Sequence, residues 1–330
     1  MKPNGVGFRG APDRRTILSR REFLAASSLF ALATMTGGCR TPGVTLGGEP
    51  VIDIHQHVGY SGRPDDVLFA HQRAMGVTKT ILLPAGRDAR SPATHQGVAN
   101  GLQANCLGNQ ACRRFAQAHP GKYFYAANEV PTLEDAVPEI ERYLKLGAVM
   151  VAEQKFGVEC DSAEMQRIYD LAAEYRVPVL MHWQHGMYNY GFERFHRMLE
   201  KHSRTIFIGH AQTWWANIGG NLNDPSVLYP KGKVSPGGLT DRYLSDYPNL
   251  YGDLSAGSGL NALTRDEEFA RGFLRRHQDR LLYGSDCNDW AGAGTACQGA
   301  QTLAAVRRLA PSKPIERKLL CENARRLFRL

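Results

Sequence analysis

Eight short apolar, β-branched runs recur along this chain, each trailed by glycine or polar residues. They occupy 51–55 (VIDIH), 78–83 (TKTILL), 123–130 (YFYAANEV), 148–153 (AVMVAE), 178–183 (PVLMHW), 205–211 (TIFIGHA), 250–256 (LYGDLSA) and 281–286 (LLYGSD). Parallel strands covered on both faces need no polar alternation, and these runs read as such. Helical patterns separate them, at 64–75, 97–118, 132–146, 162–175, 192–202, 265–277, 298–309 and 314–327. The third opens on a capping-box-like Thr132-x-x-Asp135. Strand and helix alternating eight times predict an α/β fold, either a closed (β/α)8 TIM barrel or a doubly wound sheet. A single barrel domain over residues 50–330 is the expectation, of ordinary length for that fold. Residues 214–246, rich in Gly and Pro, form an irregular stretch after strand six that would lie over the barrel mouth.

The formal charge of +8 invites a nucleic-acid reading, but its distribution argues against one. Residues 1–38 hold six Lys/Arg and two acids, so half of the excess sits in the leader. The remainder shows no Lys/Arg stripe interleaved with aromatics, the footprint such binding needs. A hydrophobic fraction of 43% with 22% charged residues allows a large core and excludes disorder as the default.

The leader has its own logic. Ser19-Arg20-Arg21-Glu22-Phe23-Leu24 precedes a mildly apolar run ending at Met35, too short to span a bilayer. The pattern resembles a twin-arginine export signal covering residues 1–38, followed by a linker over 39–49. It predicts an exported protein, periplasmic or held at the membrane as a lipoprotein. Thr36-Gly37-Gly38-Cys39 offers a lipid anchor at Cys39; plain cleavage nearby is the alternative. Six further cysteines are present, of which Cys106/Cys112 and Cys287/Cys297 are close enough in sequence to pair. Buried free thiols explain them equally well. With no CxxC pair, a thiolate zinc knuckle is not expected.

Function is read from where the ligand-type residues fall. His55 and His57 end strand one, His182 ends strand five, His210 strand six and Asp286 strand eight. In a barrel these ends converge on the face where active sites lie. Two histidines two apart on a strand share a face and can chelate one cation. A third histidine and a carboxylate complete a set suited to Zn2+ and tolerable to Mn2+ or Fe2+.

These residues carry a resemblance. The Asp53-x-His55-x-His57 start, His182, Ile208-Gly209-His210-Ala211, Tyr283-Gly284-Ser285-Asp286 and the ending Glu322-Asn323-Ala324-Arg325-Arg326-Leu327-Phe328 look like the amidohydrolase superfamily. They most resemble its amidohydrolase-related branch, which includes aminocarboxymuconate-semialdehyde decarboxylase. The resemblance implies that His55, His57, His182 and Asp286 bind a divalent metal, with His210 as a catalytic group facing it. It also puts a Lys or Glu at the end of strand four, where Glu153 and Lys155 both stand. One metal with Glu153 near it is the favoured reading; a carbamylated Lys155 in a two-metal centre is the other.

The reaction implied is hydrolysis of an amide, ester or lactone by a metal-activated water, with Asp286 shuttling the proton. Non-oxidative decarboxylation of a small carboxylic acid is the alternative, and a non-catalytic binding relative a second one. Lys155, His185, Trp214 and Arg87 are candidate substrate contacts, with Trp215 and Arg63 beside them, and Asp253 is a candidate orienter of a neighbouring histidine. The expected partner is a small molecule, with a homodimer left open. Mass spectrometry of the mature N-terminus tests the anchor. A lipidated Cys39 is its signature, and an unmodified start at any other residue excludes it.

Overall fold

The computed structural model describes residues 49–86 and 106–330. The leader, Cys39 and Arg87 lie outside them. Eight strands are present among the described residues: β1 (Ile52–Gln56), β2 (Lys79–Leu82), β3 (Tyr123–Tyr125), β4 (Val151–Gln154), β5 (Val179–His182), β6 (Phe207–His210), β7 (Leu250–Asp253) and β8 (Leu281–Leu282). β1–β2–β3 and β4 through β8 pair in order, every pair parallel. Backbone hydrogen bonds close the two remaining seams. Between β3 and β4, Ala127 N–H donates to Met150 O at 2.8 Å and Ala152 N–H to Ala127 O at 3.0 Å. Between β8 and β1, Ile54 N–H donates to Tyr283 O at 3.1 Å and Asp286 N–H to His55 O at 2.8 Å. The result is the closed parallel barrel.

Helices cover the outside: α1 (Asp65–Ala74), α2 (Asn109–Ala118), α3 (Ala136–Lys145), α4 (Ala163–Tyr175), α5 (His196–Lys201), α6 (Gln212–Ala216), α7 (Leu239–Asp246), α8 (Ala256–Thr264), α9 (Glu267–Arg276), α10 (Gln298–Leu309), α11 (Lys313–Arg317) and α12 (Asn323–Phe328). None among the described residues is long and apolar enough to cross a membrane.

Two apolar layers follow from strand alternation. Ile52, Ile54, Ile81, Leu180, Ile208 and Leu282 meet inside the barrel, where Cys321, Ala324 and Phe328 plug its base. Val51, Leu82, Val179, Met181, Phe207 and Tyr283 face outward against the helices. Each such side chain contributes roughly 1.5–3 kcal/mol when fully buried.

The inward positions of β5 and β6 run on from Leu180 to His182 and from Ile208 to His210. β1 and β4 behave differently. Strict alternation from Ile54 and from Ala152 would turn His55 and Glu153 outward. Register irregularities between Asp53 and Gln56, and between Val151 and Gln154, re-aim them toward the mouth.

Several elements depart from the sequence reading. The run 281–286 keeps only Leu281–Leu282 as strand. α3 begins at Ala136, later than the Thr132 signal predicts, because turns from Val130 O to Leu133 N–H and from Leu133 O to Ala136 N–H occupy that stretch. α8 was not predicted: Gly257 and Gly259 mute its helical pattern. Gly259 is needed because a Cβ there would lie 2.2 Å from Leu254 O. The terminal pattern is interrupted by a π-helical turn at Lys318–Glu322.

Trp214 is fully buried, packed behind β6 with its ring over Gly209, where a Cβ would meet ring carbons at 2.4 Å. Gly209→Ala is therefore expected to destabilise the fold by about 1–3 kcal/mol through overpacking, read in denaturant melts. An unchanged midpoint would contradict this packing.

Candidate metal centre

The strand ends bring seven ionisable side chains to one place. Asp253, at the end of β7, is fully buried and grips two histidines at once. Its Oδ2 lies 2.7 Å from His55 Nδ1 and 3.2 Å from His210 Nδ1. Ser255 completes the carboxylate's shell, with Oγ donating at 2.7 Å to Oδ2 and its N–H at 3.0 Å to Oδ1. Trp215 Nε1 donates to Asp253 O at 2.8 Å. His57 is fixed in the same manner, its Nδ1–H donating to Leu83 O at 2.8 Å. Holding Nδ1 leaves Nε2 to face the site.

Within this cluster, three buried atoms then have no hydrogen-bond partner among the described residues: the Nε2 of His55, of His57 and of His210. Two carboxylates sit among them. Glu153 Oε2 is 3.7 Å from His55 Nε2 and 3.8 Å from His57 Nε2; Asp286 Oδ1 is 3.8 and 3.5 Å from the same atoms. On the other side, Glu153 Oε1 and Asp286 Oδ2 each lie 3.6 Å from His210 Nε2. His182 approaches Glu153 Oε1 by its Nδ1 at 2.5 Å and Gln184 Oε1 by its Nε2 at 3.3 Å.

Orphaned, buried imidazole nitrogens aimed at carboxylates are the donor set a divalent cation takes, and the edges between them are close to those of ligands bonded at about 2.0–2.2 Å. The residues fit a metal. Overlapping triads of this cluster, His55/His57/Glu153, His55/His210/Asp286 and Glu153/His182/His210, each have donor atoms close enough to share an ion.

The electrostatics agree. Burial would raise Glu153, but His182 and His55 hold it well below the usual carboxylate range. Burial would likewise raise Asp253, yet the bonds from His210 and His55 bring it down to about 2. Asp286 is also held well down, against burial, by His55, His210 and His57. Burial, then the Lys155 charge, lowers His182 to about 4. Three anionic carboxylates in a closed pocket call for compensating positive charge.

The remaining candidates fall around this cluster. Glu153 enters it, whereas Lys155 stands beside it, its Nζ 5.3 Å over the Tyr188 ring. His185 is exposed on the wall of a cavity of about 350 Å3 that also takes in Gln184, Thr213 and Pro225. Gln184 thus belongs both to that wall and to the His182 contact, and Pro225 brings the long 214–246 segment to the mouth. Trp214, behind Gly209, is not brought to the cluster. Arg63 is buried and holds Gln56 Oε1 at 2.7 Å and Asp289 O at 2.8 Å, which makes it a strut for the loop after β8.

The sequence reading missed Tyr60. Its ring packs edge-on to His57 at 4.8 Å, and its phenol is pushed well up by burial and then by Asp286. Its place just past strand one was the available signal.

Fold and site together define a TIM-barrel protein with a candidate metal centre at its mouth. The amidohydrolase family model matches residues 238–330, the C-terminal part of the chain. No curated protein sequence matches it. Among solved structures it is similar to a probable 2-pyrone-4,6-dicarboxylic acid hydrolase from Acinetobacter baumannii, at TM-score 0.55 and 15% identity, covering 85% of this chain and 99% of that one. It is similar to 2,6-dihydroxybenzoate decarboxylase from Rhizobium, at TM-score 0.53 and 13% identity, covering 86% and 99%. A third is 5-carboxyvanillate decarboxylase from Novosphingobium aromaticivorans, complexed with manganese and a nitrobenzoic acid, at TM-score 0.51 and 15% identity, covering 80% and 79%. At these identities the likeness establishes the barrel.

Asp253→Asn should loosen both histidines together. Metal affinity is expected to fall by about 10–100-fold, measured by competition with a chromogenic chelator. Wild-type affinity would show that Asp253 does not orient the site.

Proposed function

We propose that the protein is a metal-dependent hydrolase of an amide, ester or lactone in a small molecule. The observation that carries this reading is the placement of Asp286. Its Oδ1 faces His55 and His57, its Oδ2 faces His210, and it is 12% exposed where the histidines beside it are sealed. One carboxylate thus addresses His55 and His57 with one oxygen and His210 with the other, at the edge of the sealed cluster.

A divalent cation would be held by His55, His57, Glu153 and Asp286, with His182 fixing Glu153 Oε1, and it would supply the Lewis acidity that activates water near neutral pH. Zn2+ suits this nitrogen and oxygen set, and Mn2+ or Fe2+ fit it too. Asp286 Oδ2 takes the proton of the attacking water and returns it to the leaving group. His210, fixed through Nδ1 by Asp253, keeps Nε2 beside that oxygen and beside the charge that develops on the substrate carbonyl. Asp253 and Ser255 keep both imidazoles from turning. His185 and Lys155 are the proposed substrate contacts at the mouth, the second offering an ammonium to an acidic group.

A second reading is decarboxylation. It is favoured by the two structural neighbours named as decarboxylases and by Lys155, which has no ion-pair partner among the described residues and stands ready for a substrate carboxylate. Release of CO2 from a benzoate panel, without consumption of esters or lactones, would establish that reading over hydrolysis. We propose also that the twin-arginine leader directs the enzyme out of the cytoplasm already folded around its metal.

Asp286→Asn is expected to lower kcat by about 10²–10⁴-fold while circular dichroism stays that of the wild type. Turnover near the wild-type rate would remove Asp286 from the mechanism.

A further inference from the structure

A second cluster of metal-type side chains lies outside the barrel mouth. His71 comes from α1, Cys287 and Asp289 from the loop after β8, and Cys297 from the N-cap of α10. Their donor atoms all fall within 4.8 Å of one another. Cys287 Sγ and Cys297 Sγ are 3.6 Å apart. His71 Nε2 is 3.5 Å from the first sulfur, 3.7 Å from the second and 3.0 Å from Asp289 Oδ2.

We propose that these four residues bind a structural zinc ion, in a site of two cysteines, one histidine and one aspartate that is separate from the catalytic centre. The distances support it. With Zn–S near 2.3 Å and Zn–N near 2.0 Å, a tetrahedron has S–S edges of about 3.8 Å and S–N edges of about 3.5 Å. The site is closed, as structural sites are: His71 and Cys297 are fully buried and Cys287 nearly so.

Its surroundings are built to hold the donors. Ala300 N–H donates to Cys297 Sγ at 3.3 Å, so this sulfur takes the place of a capping oxygen at the start of α10. The backbone N–H groups of Ala291 and Gly292 fix Asp289 Oδ1 at 3.0 and 2.8 Å and leave Oδ2 to His71. Gly292, at φ 65°, lies so close to the His71 backbone that a Cβ would sit 2.2 Å from its carbonyl oxygen. Two thiolates select zinc over the harder divalent ions.

The absence of a CxxC pair argued against a thiolate site. The fold supplies one instead by bringing His71 of α1 to a loop and a helix N-cap 216 and more positions further along the chain. The ion would tie α1 to the loop whose preceding residue is Asp286. Metal here would then add to folding stability and hold the catalytic carboxylate in place.

The full-length protein, purified without reductant or chelator, tests this. Metal analysis is expected to give one zinc more per chain than in Cys297→Ser, a change that keeps a capping group. His57→Ala, which strikes the barrel mouth, should retain that zinc. Cobalt substitution gives an independent reading on the unmutated chain, since of the two clusters this one alone contains sulfur. A thiolate-to-cobalt charge-transfer band is expected, and it should be kept in His57→Ala. Equal zinc in wild type and Cys297→Ser, no such band, or a Cys287–Cys297 disulfide found by mass spectrometry would each overturn the proposal.

Discussion

The Asp253 carboxylate is the interaction on which the site depends. It is sealed from water, and burial of an isolated carboxylate costs several kcal/mol unless partners replace its hydration. Here the partners are His55, His210 and Ser255, drawn from β1, β6 and its own strand end. One buried charge thus pins two imidazoles by their Nδ1 atoms and commits both Nε2 atoms to the barrel mouth. Trp215, on the helix after β6, steadies the Asp253 backbone in turn. The helical layer and the metal centre are in this way parts of one packing arrangement.

The barrel explains why so many donors meet. Parallel strands deliver their C-terminal ends to one face, and inward alternation takes His182 and His210 there directly. β1 and β4 reach it only through broken register, which sends His55 and Glu153 where regular pleating would not. These departures from ideal strands sit at the ligands themselves, a common location for bulges.

Much of this was legible in the sequence. The eight apolar runs located the strands because buried parallel strands are marked by composition alone. The histidines and Asp286 stood out by falling at run ends. The choice between Glu153 and Lys155 was not legible, since it turns on a register irregularity that no spacing reveals. Trp214 looked like a pocket wall because it follows His210, but Gly209 opens a recess behind β6 that only the packed structure shows. The Cys287 and Cys297 pair was visible, whereas His71 joins it through a contact that spans 216 positions along the chain.

The central claim is that the orphaned nitrogens at the barrel mouth exist to bind a cation. Anomalous diffraction from crystals of the full-length protein, recorded on either side of the absorption edge of its bound metal, addresses it most directly. The account predicts an anomalous peak among His55 Nε2, His57 Nε2, Glu153 and Asp286. Crystals equilibrated with Zn2+ or Mn2+ that show no peak there, with those side chains hydrogen-bonded only to one another or to water, would contradict it.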